Sequence, residues 1–264
     1  MYPDLFSIGP FSIGHFIIGP LTLHTYGLFV ALGFIAGILI TIKLGKSAGI
    51  SSNHVMDMGF IIILSGLIGS RIVYIIINFS HYMANPLDMI KLWQGGLVFS
   101  GGLVAVIIVM LLYARHHGYN IWSIGDLWAP AAMIGQSIGR IGCFCAGCCY
   151  GKPTDLPWGI TFTNPKSIAT LNIPLHPTQL YSSFSSFIIF IILIILYSKK
   201  KFEGQVFLWF LILHSTARLI LERFRGDSRG VFLTNELTMT QFIAIIILIS
   251  AVTALFIFKP KDKK

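Results

Sequence analysis

Charged residues are scarce: Asp, Glu, Lys and Arg together make up 11% of the 264 residues, and only ten of them are acidic. A soluble domain carries about 25% charged residues, so this chain cannot clothe a globule in polar surface. The same shortage, beside so much apolar sequence, excludes disorder and excludes reading the net charge of +9 as a nucleic-acid-binding surface. No span shows the strict alternation of a barrel strand. The opening Met1-Tyr2-Pro3-Asp4 lacks the basic segment of a secretory signal, and the first apolar run continues as a span.

What remains is apolar. AVILMFWYC residues form 55% of the chain, and the mean hydropathy is +0.79. A helix crosses about 30 Å of hydrocarbon with roughly 20 apolar residues. Seven runs qualify: Leu23 to Ile42, Met58 to Ile77, Leu97 to Ala114, Ile121 to Ile141, Thr178 to Tyr197, Gly204 to Glu222 and Leu237 to Phe258. The expected fold is an all-α polytopic membrane protein of about seven spans, one domain over residues 1–264. Residues 1–22, with Gly9-Pro10 and Gly19-Pro20, read as an ordered interfacial arm, and 143–177 as an outer loop.

Lys and Arg set the orientation. With the N-terminus outside, ten basic residues fall on inner segments, six on outer ones, and Arg71, Arg140 and Arg218 lie within spans. N-out and C-in is expected. Nine of the ten inner residues are Lys, whereas Arg collects outside and in the spans. Arg suits bidentate phosphate binding, while Lys at the inner rim needs only charge.

Span parity places the polar residues in one leaflet. Tyr26 opens the first span; Arg71 and Tyr74 lie toward the outer end of the second; Gln94, Gly95, Gly96 and Ser100 enter the third. Arg140 closes the fourth, His176, Gln179 and Tyr181 open the fifth, and Arg218 and Glu222 close the sixth. An arginine at the bilayer centre costs about 2.5–3.5 kcal/mol, so three of them require partners. Glu222, four residues on, pairs with Arg218 on one helix face. Arg71 and Arg140 have no such acid, because Asp126 sits on the inner side. A lipid phosphate is the economical counter-ion, against the plainer reading that these arginines snorkel to headgroups. The pairs Gly95-Gly96 and Gly101-Gly102 allow either close helix packing or close approach of backbone to a headgroup.

These residues resemble the bacterial phosphatidylglycerol–prolipoprotein diacylglyceryl transferase family. Gly139-Arg140-Ile141-Gly142-Cys143-Phe144-Cys145-Ala146-Gly147, continuing to Gly151, is similar to its signature. Tyr26-Gly27, Gly69-Ser70-Arg71 through Tyr74, Trp93-Gln94-Gly95-Gly96 with Ser100-Gly101-Gly102, His176 to Tyr181, and Arg218 to Glu222 with Arg225 resemble its other motifs in order. The resemblance implies that diacylglycerol passes from phosphatidylglycerol to the lipobox cysteine of a prolipoprotein signal peptide, at the outer leaflet of the bacterial inner membrane. Glycerol phosphate leaves, and no cofactor or resident metal is expected. Arg140 and Arg218 are the candidates for the departing phosphate, with Glu222 orienting Arg218 and Tyr26 bonding the headgroup. Gly142, Cys143, Gly151, His176, Gln179, Tyr181 and Arg225 carry over as binding positions, beside Arg71, Tyr74, Gln94 and the glycine-rich entry. Two other readings stand beside this one: a non-catalytic relative that binds anionic phospholipid or lipoprotein, and a transporter of lipid or anion.

The chain departs from the family pattern at Cys143, Ala146 and Cys148, where asparagine, asparagine and glutamate are expected, and at Ser100, where histidine is expected. All four cysteines fall between 143 and 149. Small apolar packing in a re-entrant turn, a disulfide, and metal or redox chemistry are the open readings, although the paired Cys-x-x-Cys spacing of structural zinc sites is missing.

Overall fold

Each of the seven apolar runs carries a helix in the computed structural model, which describes residues 2–9, 11–13, 16–18, 21–91, 95–227 and 238–258, so that Leu237 lies outside the described residues and Leu23 falls in a strand. A two-strand ribbon, β1 (Asp4–Ile8) with β4 (Leu21–His24), encloses a shorter one, β2 (Phe11–Ile13) with β3 (Phe16–Ile18). The helices that follow are α1 (Thr25–Ser47), α2 (Ser52–Ile77), α3 (Phe79–Ala84), α4 (Phe99–His116) and α5 (Ile121–Ala146). After strands β5 (Ile160–Thr161) and β6 (Pro174–Leu175) come α6 (Thr178–Ser198), α7 (Gln205–Glu222) and α8 (Met239–Phe258). Among the described residues, six helices are both long and apolar enough to cross a bilayer: α1, α2, α4, α6, α7 and α8. The seventh, α5, is long enough at 26 residues, but carries Asp126, Gln136, Ser137 and Arg140 along its length. Residues that line a protein interior rather than meeting lipid have this mixed character. The chain is a multi-pass, all-α membrane protein.

Helix α2 starts two turns before its apolar run, because Ser51 caps it by accepting a bond from the His54 amide at 3.3 Å. Conversely, Leu97 falls outside α4, which begins at Phe99.

The chain forms two compact units, residues 41–124 and residues 1–40 with 125–264. Within the 41–124 unit, α2 and α4 meet backbone to backbone. A Cβ on Gly69 would lie 2.6 Å from the Gly101 carbonyl oxygen, and one on Gly102 would lie 2.8 Å from that of Gly66. Without a hydrophobic drive between helices in lipid, this small-residue approach is what holds them. Gly101 and Gly102 therefore serve packing.

In the other unit, α1 and α5 cross at Gly33 and Gly135, where a Cβ on Gly33 would sit 2.8 Å from the Gly135 carbonyl oxygen. Ser137 and Ser183 tie α5 to α6, each hydroxyl donating to the other residue's carbonyl, at 2.9 and 2.8 Å. Asp126, fully buried, sits at the first turn of α7. It accepts from the amides of Gly204 and Phe207 at 2.9 Å each and from Lys200 at 3.1 Å. Helix N-termini carry orphan donors and partial positive charge, so a carboxylate from a neighbouring helix answers both.

The loop between α5 and α6 has a core of its own. Phe162, Ala169 and Leu175 are buried there, with Phe144, Tyr150, Ile160 and Leu171 against them. The N-terminal arm is bound to this loop by Lys166, which pairs with Asp4 at 2.7 Å, while His24 bonds the other Asp4 oxygen at 2.8 Å. The Lys166 bond, followed by that of His24, lowers the Asp4 carboxyl below its usual value of 3.8.

Candidate active site

Helices α5 and α7 run parallel, as their two cross-links show: Asp126 reaches the start of α7, and ten residues later Gln136 meets His214 at 3.2 Å. One turn further along each helix come Arg140 and Arg218, both within electrostatic range of His214. Arg140 makes no hydrogen bond or ion pair with a described residue. Arg218 pairs with Glu222 at 3.1 Å, the spacing of four that the sequence suggested. The second Glu222 oxygen accepts from Thr238 at 3.1 Å and Thr240 at 3.0 Å. Glu222, 8% exposed, is thus fixed by two hydroxyls from the start of α8, and its remaining oxygen aims Arg218.

Tyr26 lies at the first turn of α1, where Gly142 admits it: a Cβ at Gly142 would meet Phe29 at 2.9 Å and the Tyr26 carbonyl oxygen at 3.2 Å. Its phenol is within electrostatic range of Arg140 and of Cys143, Cys148 and Cys149. The expected catalytic residues therefore share one unit, around the N-terminal end of α1 and the C-terminal ends of α5 and α7.

Beyond α5 the chain turns sharply. Gly147 and Cys149 both adopt positive φ, 75° and 62°. For a residue with a Cβ this costs about 1–2 kcal/mol, and such strain persists only when its surroundings hold it. They do so here through α6: Thr178 donates to the Cys149 carbonyl and Gln179 to the Cys148 carbonyl, both at 2.8 Å. Both side chains are 2% exposed or less. The His176 to Gln179 motif is therefore a clamp on the cysteine turn, and Gln179 positions backbone. His176 packs against Tyr181 and Phe224, and Tyr181 accepts a bond from the Trp158 indole at 2.8 Å. Gly151 bridges to Arg225, and a Cβ there would collide with His176.

The thiols of Cys143, Cys148 and Cys149 converge, and no disulfide joins the cysteines. Hydrogen bonds from Cys143 and Cys148, then one from Arg225, hold the Cys149 thiol far below its ordinary range. Its bonds with Cys143 and Cys149 push Cys148 the other way. Arg225 is itself gripped by both Asp227 oxygens at 2.8 Å.

Arg71 belongs to the 41–124 unit and departs from expectation. Its five N–H groups go to the carbonyls of Met89, Gly95, Gly96, Asp88 and Lys91, at 2.6 to 3.3 Å. A guanidinium has only five donors, so none is left for a phosphate. Arg71 organises the loop before α4, beside the rings of Tyr74 and Tyr82. Gly95 and Gly96 have φ of 83° and 78°, and a Cβ on Gly96 would press on Tyr74 at 2.5 Å. Beside them lies a cleft of about 320 Å³ lined by Arg71, Tyr74, Asn78, His81, Tyr82, Gly95 and Gly96. Ser100 is exposed and outside that lining. Gln94 lies outside the described residues.

The model of the prolipoprotein diacylglyceryl transferase family matches residues 14–257. The chain belongs to that family. It is 36% identical over 238 residues to a phosphatidylglycerol–prolipoprotein diacylglyceryl transferase of Clostridium tetani, covering 90% of this chain and 93% of that one. Similarity of the same order extends to enzymes so named from Bordetella bronchiseptica, at 33% with 93% and 95% covered, and Francisella tularensis subsp. novicida, at 36% with 91% of each.

Sequence reasoning missed Gln136, His214 and Thr178. The first two were signalled by spacing, each lying four residues before a span arginine. Thr178 lay inside a quoted motif, but nothing in one dimension says that its hydroxyl reaches Cys149.

Proposed function

We propose that this chain transfers the diacylglyceryl group of phosphatidylglycerol to the lipobox cysteine thiol of a prolipoprotein, releasing glycerol phosphate. The observation that carries this is the Arg140–Arg218 pair, set on parallel helices around His214, with Arg218 aimed by a buried, doubly bonded Glu222. A phosphate monoester gains charge as it leaves, and two preset guanidinium groups stabilise that charge more than they stabilise the diester. Arg140 has donors to offer it. Tyr26 holds the headgroup beside Arg140, and the loop of residues 152–173 covers the bound lipid and receives the signal peptide.

In this reading the whole chain works as one membrane-embedded domain in the bacterial inner membrane, N-out and C-in, its site open to the outer leaflet. The cleft beside Arg71, within the 41–124 unit, takes lipid of its own through Tyr74 and the Gly95-Gly96 backbone.

The test is a transfer assay with purified protein, labelled phosphatidylglycerol, and a lipobox peptide with its Cys→Ser control. Thioether product and glycerol phosphate should appear in equal amounts, and only with the cysteine peptide. Lipid bound without turnover would instead identify a lipid-binding relative.

A further inference from the structure

We propose that Cys143, Cys148 and Cys149 form a three-thiolate zinc site whose open fourth position takes the acceptor thiol. The inference rests on the transfer reading above and deepens it by naming what activates the thiol.

The three Sγ atoms lie within 4.8 Å of one another. A tetrahedral zinc with Zn–S bonds of about 2.3 Å needs sulfurs about 3.8 Å apart, so side-chain adjustment alone closes the site. Adjacent cysteines in extended backbone point apart. Here the positive φ of Cys149 turns two neighbouring thiols to the same side, and Thr178 and Gln179 hold that turn from outside. Packing as small apolar groups would need neither the strained residue nor the clamp. Arg225, fixed by Asp227, hydrogen-bonds the Cys149 sulfur, the kind of support that orients a metal ligand and spreads its charge. Among the described residues, no histidine, carboxylate or fourth cysteine joins the group. Three protein ligands with one position open is the pattern of a catalytic zinc, not a structural one.

The chemistry matches the reaction. A thiol binding at the open position gives up its proton to solvent and becomes a zinc-bound thiolate. Its sulfur lone pair attacks the glyceryl carbon that bears the phosphate. The S–C bond forms as the C–O bond breaks, and the bonding pair leaves on the phosphate oxygen of glycerol phosphate. The thioether product is a neutral, weaker ligand and departs, so zinc is unchanged and no oxidant or reductant is required.

The experiment uses the full-length chain, purified in detergent under reducing conditions. Elemental analysis should find about one zinc per chain, lost in Cys148→Ser and retained in Cys145→Ser. The cobalt-substituted protein should show thiolate-to-cobalt charge transfer, and its ligand-field bands should shift with the lipobox peptide but not with its Cys→Ser form. A metal-free reduced protein, a disulfide within the turn, or cobalt bands indifferent to the cysteine peptide would each overturn the inference. Thioether formation by a chain stripped of zinc would overturn it too, while leaving the proposed transfer intact. A peptide-responsive cobalt site in a chain that yields no thioether would uphold the site and sink the transfer reading.

Discussion

Gln136 and His214 meet at 3.2 Å between α5 and α7, one helical turn before Arg140 and Arg218. The bond sets the rotation of each helix about its axis, and so the direction in which each arginine points. Removing it by Gln136→Ala loses about 1 kcal/mol of net interaction, and the arginines lose register with it. Transfer should fall roughly five- to tenfold, chiefly in kcat, while bound phosphatidylglycerol changes little. A transfer assay paired with lipid-binding measurements separates the two; unchanged kcat would remove the positioning role.

Arg140→Lys and Arg218→Lys keep the charge and lose the planar fork. If both guanidinium groups bind the departing phosphate, each change should lower kcat/KM by about a hundredfold or more, with insertion and folding preserved. The measurement is steady-state transfer in proteoliposomes alongside a melting curve. Lysine variants that retain full rate would show that charge alone suffices.

Gly96→Ala introduces a Cβ both at a φ of 78° and against the Tyr74 ring. The backbone term alone is about 1 kcal/mol, and the collision adds to it by displacing Arg71 from its carbonyl cage. A lowered melting temperature in detergent, larger than that of Gly95→Ala, is expected, because Gly95 has open space around its Cβ direction.

Asp126→Ala strips two buried amides and Lys200 of their acceptor at once. Leaving buried groups unsatisfied costs about 1–3 kcal/mol for each. The variant should melt well below the parent, whereas Asp126→Asn, which retains one acceptor oxygen, should fall between them.

The helices were legible because a bilayer demands long apolar runs, and each of the seven is a helix near its expected place. Their ends were less so: Ser51 starts α2 by a side-chain cap that hydropathy does not register. At the site, the Arg218–Glu222 pair was legible since both partners lie on one helix. Arg71 was not. Its acceptors are carbonyls 17 to 25 residues away, and a backbone oxygen has no letter in a sequence. The cysteines were visible as a cluster, yet their convergence depends on the positive φ of Gly147 and Cys149 and on hydroxyl and amide groups that follow some thirty residues later.

Helix α7 is pinned twice to α5, by Asp126 at its first turn and by Gln136 at His214. Mechanically it is a beam clamped over half its length. The remaining stretch, from His214 to Glu222, is about 12 Å of cantilever, and it carries Arg218 at its middle. Its tip is fastened not to α5 but to Thr238 and Thr240 at the start of α8. A shift of α8 is therefore carried through Glu222 to Arg218, which makes α8 a lever on the gap between the two arginines.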